Sequence, residues 1–171
     1  FDETRIRVTV TRGCNEFVVN EVRRAFLVIT FSALREPLNK YEKGVRVITF
    51  GAERSLPAVK TISMAPVMLA RSEMEKQGAF EVLLVSRKGF VTEGSVSNLY
   101  IVKDGFLITP DEDVLAGTTR ELMLEWSVGT CGVKLDNLTK DDVYTADEVF
   151  VTSAVKGVVP VLEVDGYIIG N

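Results

Sequence analysis

The sequence predicts a mixed α/β, strand-rich domain with two substantial helices. Three observations point there. Short apolar runs separated by turn residues recur along the chain. Two longer segments have helical starts and stops. And 171 residues, 46% of them hydrophobic, suffice for one domain that buries roughly 70% of its unfolded surface.

The elements follow in order. Arg5 to Thr11 alternates apolar and polar residues, the pattern of a half-buried strand, and Arg12-Gly13 ends it. Arg24 to Ser32 and Val45 to Phe50 read as strands, with Pro37 and Gly44 between them. Ser63 to Gln77 reads as a helix capped by Ser63, with Pro66 in its first turn and Gly78 as its stop. Met64, Val67, Met68 and Met74 are its expected apolar face. Phe80 to Ser86, Phe90 to Thr92, Asn98 to Lys103 and Phe106 to Thr109 are strands, the last two joined by the hairpin pair Asp104-Gly105. Thr118 to Val128 is the second helix, with Leu122, Met123 and Trp126 expected inward. Val133 to Leu135 is a short strand, and Thr139 to Asp142 reads as a capped short helix. Glu148 to Ser153 and Val158 to Val164 close the domain as strands.

Composition excludes several chemistries. The chain has no histidine, so imidazole bases, Ser-His-Asp or Cys-His catalysis and HExxH zinc sites are out. The carboxylates show no metal-ligand spacing, so no metal is expected. A net charge of −4 without a basic block argues against a nucleic-acid partner. The longest apolar run, Ala25 to Leu34, is too short to span a membrane. Cys14 and Cys131 make no disulfide framework, which suits a reducing, cytoplasmic setting. A start at Phe1 within a few residues of a strand reads as a piece of a longer protein, or else as a processed small domain.

Four features could carry chemistry. Gly117-Thr118-Thr119 opens a helix, where free N–H groups, hydroxyls and the helix dipole can hold a phosphate; Thr118 could instead merely cap. Thr152-Ser153-Ala154 are small residues at a strand's end, where a backbone or ligand can approach. Glu93 ends a strand before Gly94-Ser95-Val96-Ser97-Asn98, where a carboxylate could face a cleft or simply sit in a turn. Lys60 lies between Pro57 and the first helix, as a solvated lysine would. Together they match the needs of a pyridoxal 5′-phosphate (PLP) site. A lysine bonds the aldehyde, a carboxylate pairs with the pyridine nitrogen, and helix N–H groups and hydroxyls take the phosphate.

Glu93 to Asn98 and on to Pro110, then Leu115 to Arg120, Ala146 to Ser153, Val158 to Val161 and Asp165-Gly166, resemble the signature of class IV (fold type IV) PLP-dependent aminotransferases. The resemblance covers most of the chain from Arg5 onward. It implies the strand-rich large cofactor domain of that fold, a pseudo-barrel of mixed strands with flanking helices, spanning 1–171 with the N-terminal small domain missing. It implies Lys60 as the Schiff-base lysine and proton carrier. It places Glu93 at the pyridine nitrogen, Ser97 and Asn98 in the site loop, and Gly117, Thr118, Thr119, Thr152, Ser153 and Ala154 around the phosphate. Arg7 and Arg12 are the implied substrate contacts. Family members usually have an aliphatic residue where Thr118 stands and a threonine where Ala154 stands. The implied reaction is amino transfer from an amino acid, with branched-chain types among the candidates, to a 2-oxo acid such as 2-oxoglutarate, by a cytoplasmic homodimer. 4-Amino-4-deoxychorismate lyase, and an inactive fragment or interaction module, are the alternatives.

Overall fold

The computed structural model describes residues 3–11, 25–34 and 39–170. The chain divides into two compact units, residues 1–37 and 38–171.

The first unit holds an antiparallel hairpin of β1 (Thr4–Thr11) and β2 (Phe26–Ala33), in unbroken register from Thr4↔Ala33 to Thr11↔Phe26. Ile6, Val8 and Val10 are exposed, contrary to the half-buried strand expected. Arg12, Gly13 and Arg24, the first residue of the second expected strand, lie outside the described residues.

The second unit begins with α1 (Asn39–Lys43), β3 (Val45–Gly51) and α2 (Ala65–Lys76). It continues with β4 (Glu81–Val85), β5 (Phe90–Gly94), β6 (Asn98–Lys103) and β7 (Phe106–Thr109). Then come α3 (Thr118–Ser127), β8 (Gly132–Leu135), the two-residue β9 (Leu138–Thr139) and α4 (Lys140–Tyr144). The last elements are β10 (Glu148–Ser153), β11 (Gly157–Val164) and β12 (Tyr167–Ile168).

Its sheet runs β8-β7-β6-β10-β11-β3-β4-β5-β9, and a further pairing of β5 with β6 closes six of these strands into a mixed barrel. The β11–β3 and β3–β4 pairs are parallel, and the rest of the ring is antiparallel. Closure removes free edges from the ring. The expected pseudo-barrel with flanking helices is the observed architecture.

Strand alternation sorts the core into two layers. Val47, Leu83, Leu99, Ile101, Val149, Val151, Val159 and Val161 fill one cluster. On the other face of β3 and β4, Ile48, Val82 and Leu84 pack against Val67, Ala70 and Met74 of α2. The cap of α2 is Met64, without a side-chain bond, so Ser63 does not cap it. Met68, expected inward, is exposed; the buried stripe of α2 is Val67, Ala70 and Met74, spaced i, i+3 and i+7.

The helix α3 departs further from expectation. Leu122 and Trp126 are exposed, the latter at 69%, while Arg120 and Ser127 are buried. Arg120 is held there by its Nη2 donating to Pro110 O at 2.9 Å. Asp104 and Gly105 both have positive φ, 52° and 76°, which is the geometry a tight two-residue hairpin needs. The capped short helix is as expected: Thr139 and Asp142 form a reciprocal capping box on α4. Among the described residues, no helix is long and apolar enough to cross a membrane.

Candidate active site

Three neighbouring strands bring the site together. Register places Glu93 of β5 opposite Asn98 of β6, and Asn98 opposite Thr152 of β10. These positions, scattered over 60 residues of sequence, form one crosswise row. All three are buried.

Glu93 is 3% exposed. Its Oε1 accepts from Arg54 Nη1 at 3.2 Å, an ion pair within the protein body. Its Oε2 accepts from the Leu115 N–H at 3.0 Å. Burial pushes its pKa above the usual carboxylate range, opposed by the Leu115 N–H, by Arg54 and by the charge of Lys60. Lys60 itself is exposed, in the irregular stretch between β3 and α2. Its charge is the last of the influences that oppose the rise at Glu93.

Asn98 reaches the same backbone segment. Its Nδ2 donates to Leu115 O at 2.8 Å. Leu115 is therefore pinned at both polar groups, one by each end of the β5–β6 turn. Two residues later, Gly117 caps α3 in extended conformation with no side-chain bond to the helix. A Cβ at Gly117 would sit 2.3 Å from Asn98 Oδ1, so the close approach requires glycine. The N-terminus of α3 is left without a side-chain cap, an anion-accepting arrangement. Thr118 is exposed and Thr119 half-buried at that start.

Thr152 is 1% exposed, and its Oγ1 has no hydrogen-bond partner in the protein. The buried Tyr100 hydroxyl, further along the same strands, is also without one. The Thr152 hydroxyl lies close enough to temper the rise in the Tyr100 pKa that burial causes, but the geometry is not that of a hydrogen bond. The Tyr100 ring stacks on Phe150 at 4.8 Å. Ser153 Oγ accepts from the Lys156 N–H at 3.1 Å, folding the turn after β10, and Ala154 is exposed in that turn. The Ser97 hydroxyl is spoken for by Glu81, at 3.0 Å.

The second unit thus gathers Lys60, Glu93, Asn98, Gly117, Thr118, Thr119, Thr152, Ser153 and Ala154 on one set of elements. Arg7 is exposed on β1, in the first unit, and Arg12 lies outside the described residues. An open groove of about 590 Å³ lined by Ala52, Arg54, Pro66 and Leu69 contains none of these residues and touches the site only through Arg54, the partner of Glu93. Sequence reasoning missed Arg54, Glu81 and Tyr100. Arg54 pairs with Glu93 across 39 positions, so no local spacing announces it.

A family model, amino-transferase class IV, matches residues 1–164. This chain belongs to the class IV aminotransferase family. It is 35% identical over 175 aligned positions to a Methanocaldococcus jannaschii protein provisionally named branched-chain-amino-acid aminotransferase, covering 97% of this chain and 60% of that one. It is 32% identical to the D-alanine aminotransferase of Bacillus licheniformis, over 81% of this chain and 50% of the relative. Among solved structures, the 4-amino-4-deoxychorismate lyase of Pseudomonas aeruginosa superposes with TM-score 0.86 at 26% identity, over 96% of this chain and 65% of that one. The T.th. branched-chain amino acid aminotransferase solved with pyridoxamine 5′-phosphate gives TM-score 0.85 at 29% identity, over 98% and 59%. The chain spans 60% or less of the length of these sequence relatives.

Proposed function

We propose that residues 1–171 are the cofactor-binding large domain of a PLP-dependent aminotransferase that moves an amino group from an amino acid, of branched-chain type, to a 2-oxo acid such as 2-oxoglutarate. The observation that carries this is the row Glu93–Asn98–Thr152, with an accessible lysine acting on the buried carboxylate at one end and an unpaired buried hydroxyl at the other.

The residues fit the cofactor. The orphaned Thr152 hydroxyl and the uncapped helix start at Gly117 are what a phosphate group would satisfy. PLP, when bound, supplies an aldehyde and an electron-withdrawing ring that stabilises a carbanion. Lys60 would bond the aldehyde and, when released, carry a proton at Nζ. Glu93, whose charged form Arg54 and the Leu115 N–H favour against its burial, would hold a proton on the pyridine nitrogen. Asn98 fixes Leu115 and hence the approach of the helix start. Ser153 and Ala154 would offer turn amides to the phosphate. Arg7 and Arg12 remain the proposed substrate-carboxylate contacts. A cytoplasmic homodimer belongs to the same reading; sedimentation of the full-length protein tests the assembly.

The likeness to the lyase structure gives the second reading, elimination from 4-amino-4-deoxychorismate. One assay separates them. PLP-loaded full-length protein mixed with a branched-chain amino acid and 2-oxoglutarate should yield the branched oxo acid and glutamate. Release of pyruvate and aminobenzoate from aminodeoxychorismate, without an amino acceptor, would replace the first reading with the second.

A further inference from the structure

Glu81 is the most deeply buried carboxylate of the described residues, 1% exposed at the start of β4. The reaction proposed above does not use it. An apolar residue would be cheaper in such a place, because a buried charge survives only when paired and fully hydrogen-bonded. Glu81 meets that condition on two fronts. Its Oε1 accepts from Ser95 Oγ at 2.5 Å, from the Ser95 N–H at 3.2 Å and from the Val82 N–H at 3.0 Å. Its Oε2 accepts from Ser97 Oγ at 3.0 Å and faces Lys156 Nζ at 3.7 Å.

The side-chain partners belong to two different turns. Ser95 and Ser97 lie in the β5–β6 turn, whose flanking residues are Glu93 and Asn98. Lys156 lies in the β10–β11 turn, which follows Ser153, begins at Ala154 and is shaped by the Lys156 N–H bond to Ser153 Oγ. The Lys156 ammonium is held over the Phe80 ring at 4.3 Å, and its carbonyl accepts from Tyr41 Oη at 2.8 Å. The lysine therefore has little freedom to leave the carboxylate.

We propose that Glu81 is a positioning residue: it locks the turn that carries Glu93 and Asn98 to the turn that carries Ser153 and Ala154, and so fixes the spacing between the two ends of the cofactor site. The link is a geometric statement about this chain. Its consequence for the cofactor rests on the PLP reading above.

The test uses full-length protein as Glu81→Gln, Lys156→Met and the double variant, each studied well below its melting temperature. Hydrogen exchange read by mass spectrometry follows peptides covering 94–98 and 153–157. The link predicts crossed effects: Lys156→Met speeds exchange at 94–98, and Glu81→Gln speeds it at 153–157. Changes confined to each variant's own turn would overturn it. PLP affinity gives the second readout. Each single variant should weaken binding about tenfold, the scale of one charge-assisted bond, and the double variant by no more than either. Wild-type affinity in all three variants, or additive losses, would overturn the positioning role. Should Glu81→Gln not fold, the double variant, which leaves no unpaired charge, carries both readouts with Lys156→Met. A wild-type protein that binds no PLP would overturn the PLP reading, while the exchange data still decide the link.

Discussion

Gly117→Ala isolates the close approach on which the helix start depends. The backbone at Gly117, φ −73° and ψ 140°, suits alanine, so no backbone strain is introduced. The new methyl would lie 2.3 Å from Asn98 Oδ1. The buried Asn98 amide must therefore turn away and give up its 2.8 Å bond to Leu115 O. Losing that bond and leaving a buried amide unsatisfied costs about 1–3 kcal/mol. Alanine is also a poorer N-cap than glycine, by about 0.5 kcal/mol. The expected loss is thus about 1.5–3.5 kcal/mol, or a melting temperature lower by roughly 3–14 °C for a chain of this size. Urea unfolding measures it in two backgrounds. With Asn98→Ala already present there is no amide to displace, and Gly117→Ala should cost only about 0.5 kcal/mol. Equal costs in both backgrounds would refute the reasoning, because the contact would then not be the source of the loss.

Three further outcomes follow from the same geometry. Arg54→Met leaves the Glu93 carboxylate with less compensation in a buried site and should cost about 3 kcal/mol in urea unfolding, much of it restored by adding Glu93→Gln; a cost below about 0.5 kcal/mol contradicts the ion pair's role. Glu93 has a folded pKa raised by burial, so its contribution is most favourable at a pH below the unfolded carboxylate value and is lost as pH rises through the raised value. The stability of wild type relative to Glu93→Gln should fall across that window, and a rise would count against the assignment. Asp142 has its pKa lowered, first by the Thr139 hydroxyl and then by the Thr139 N–H. The stabilisation it gives α4 is therefore present above the unfolded carboxylate pKa and fades as pH falls through the folded one; Asp142→Asn should flatten that acid limb of the unfolding profile.

The parts of the fold legible in the sequence are those set by local rules. The strands at Asn98 to Lys103, Phe106 to Thr109 and Glu148 to Ser153 have the observed bounds, because short apolar runs end at turn residues. The capping box at Thr139 was equally local. Orientation was harder. Trp126 and Leu122 look like core residues by size, yet the face of α3 that is buried carries Arg120, which bonds Pro110 outside the helix, and Ser127. At the site, Glu93 and Gly117 could be singled out because a carboxylate at a strand's end and a glycine at a helix start are visible patterns. Arg54 and Glu81 could not, since their partners lie 39 and 14 to 16 positions away and only the barrel brings them together. The pairing of the helix start with the β5–β6 turn through Leu115 runs on backbone groups, which carry no residue signature at all.

The central claim is that Lys60 is the residue bonded to the cofactor. Full-length protein loaded with PLP, reduced with borohydride and digested, should carry a phosphopyridoxyl group on the peptide containing Lys60, with binding of that group abolished in Lys60→Ala. Label on another lysine, or unchanged label in Lys60→Ala, would contradict the account.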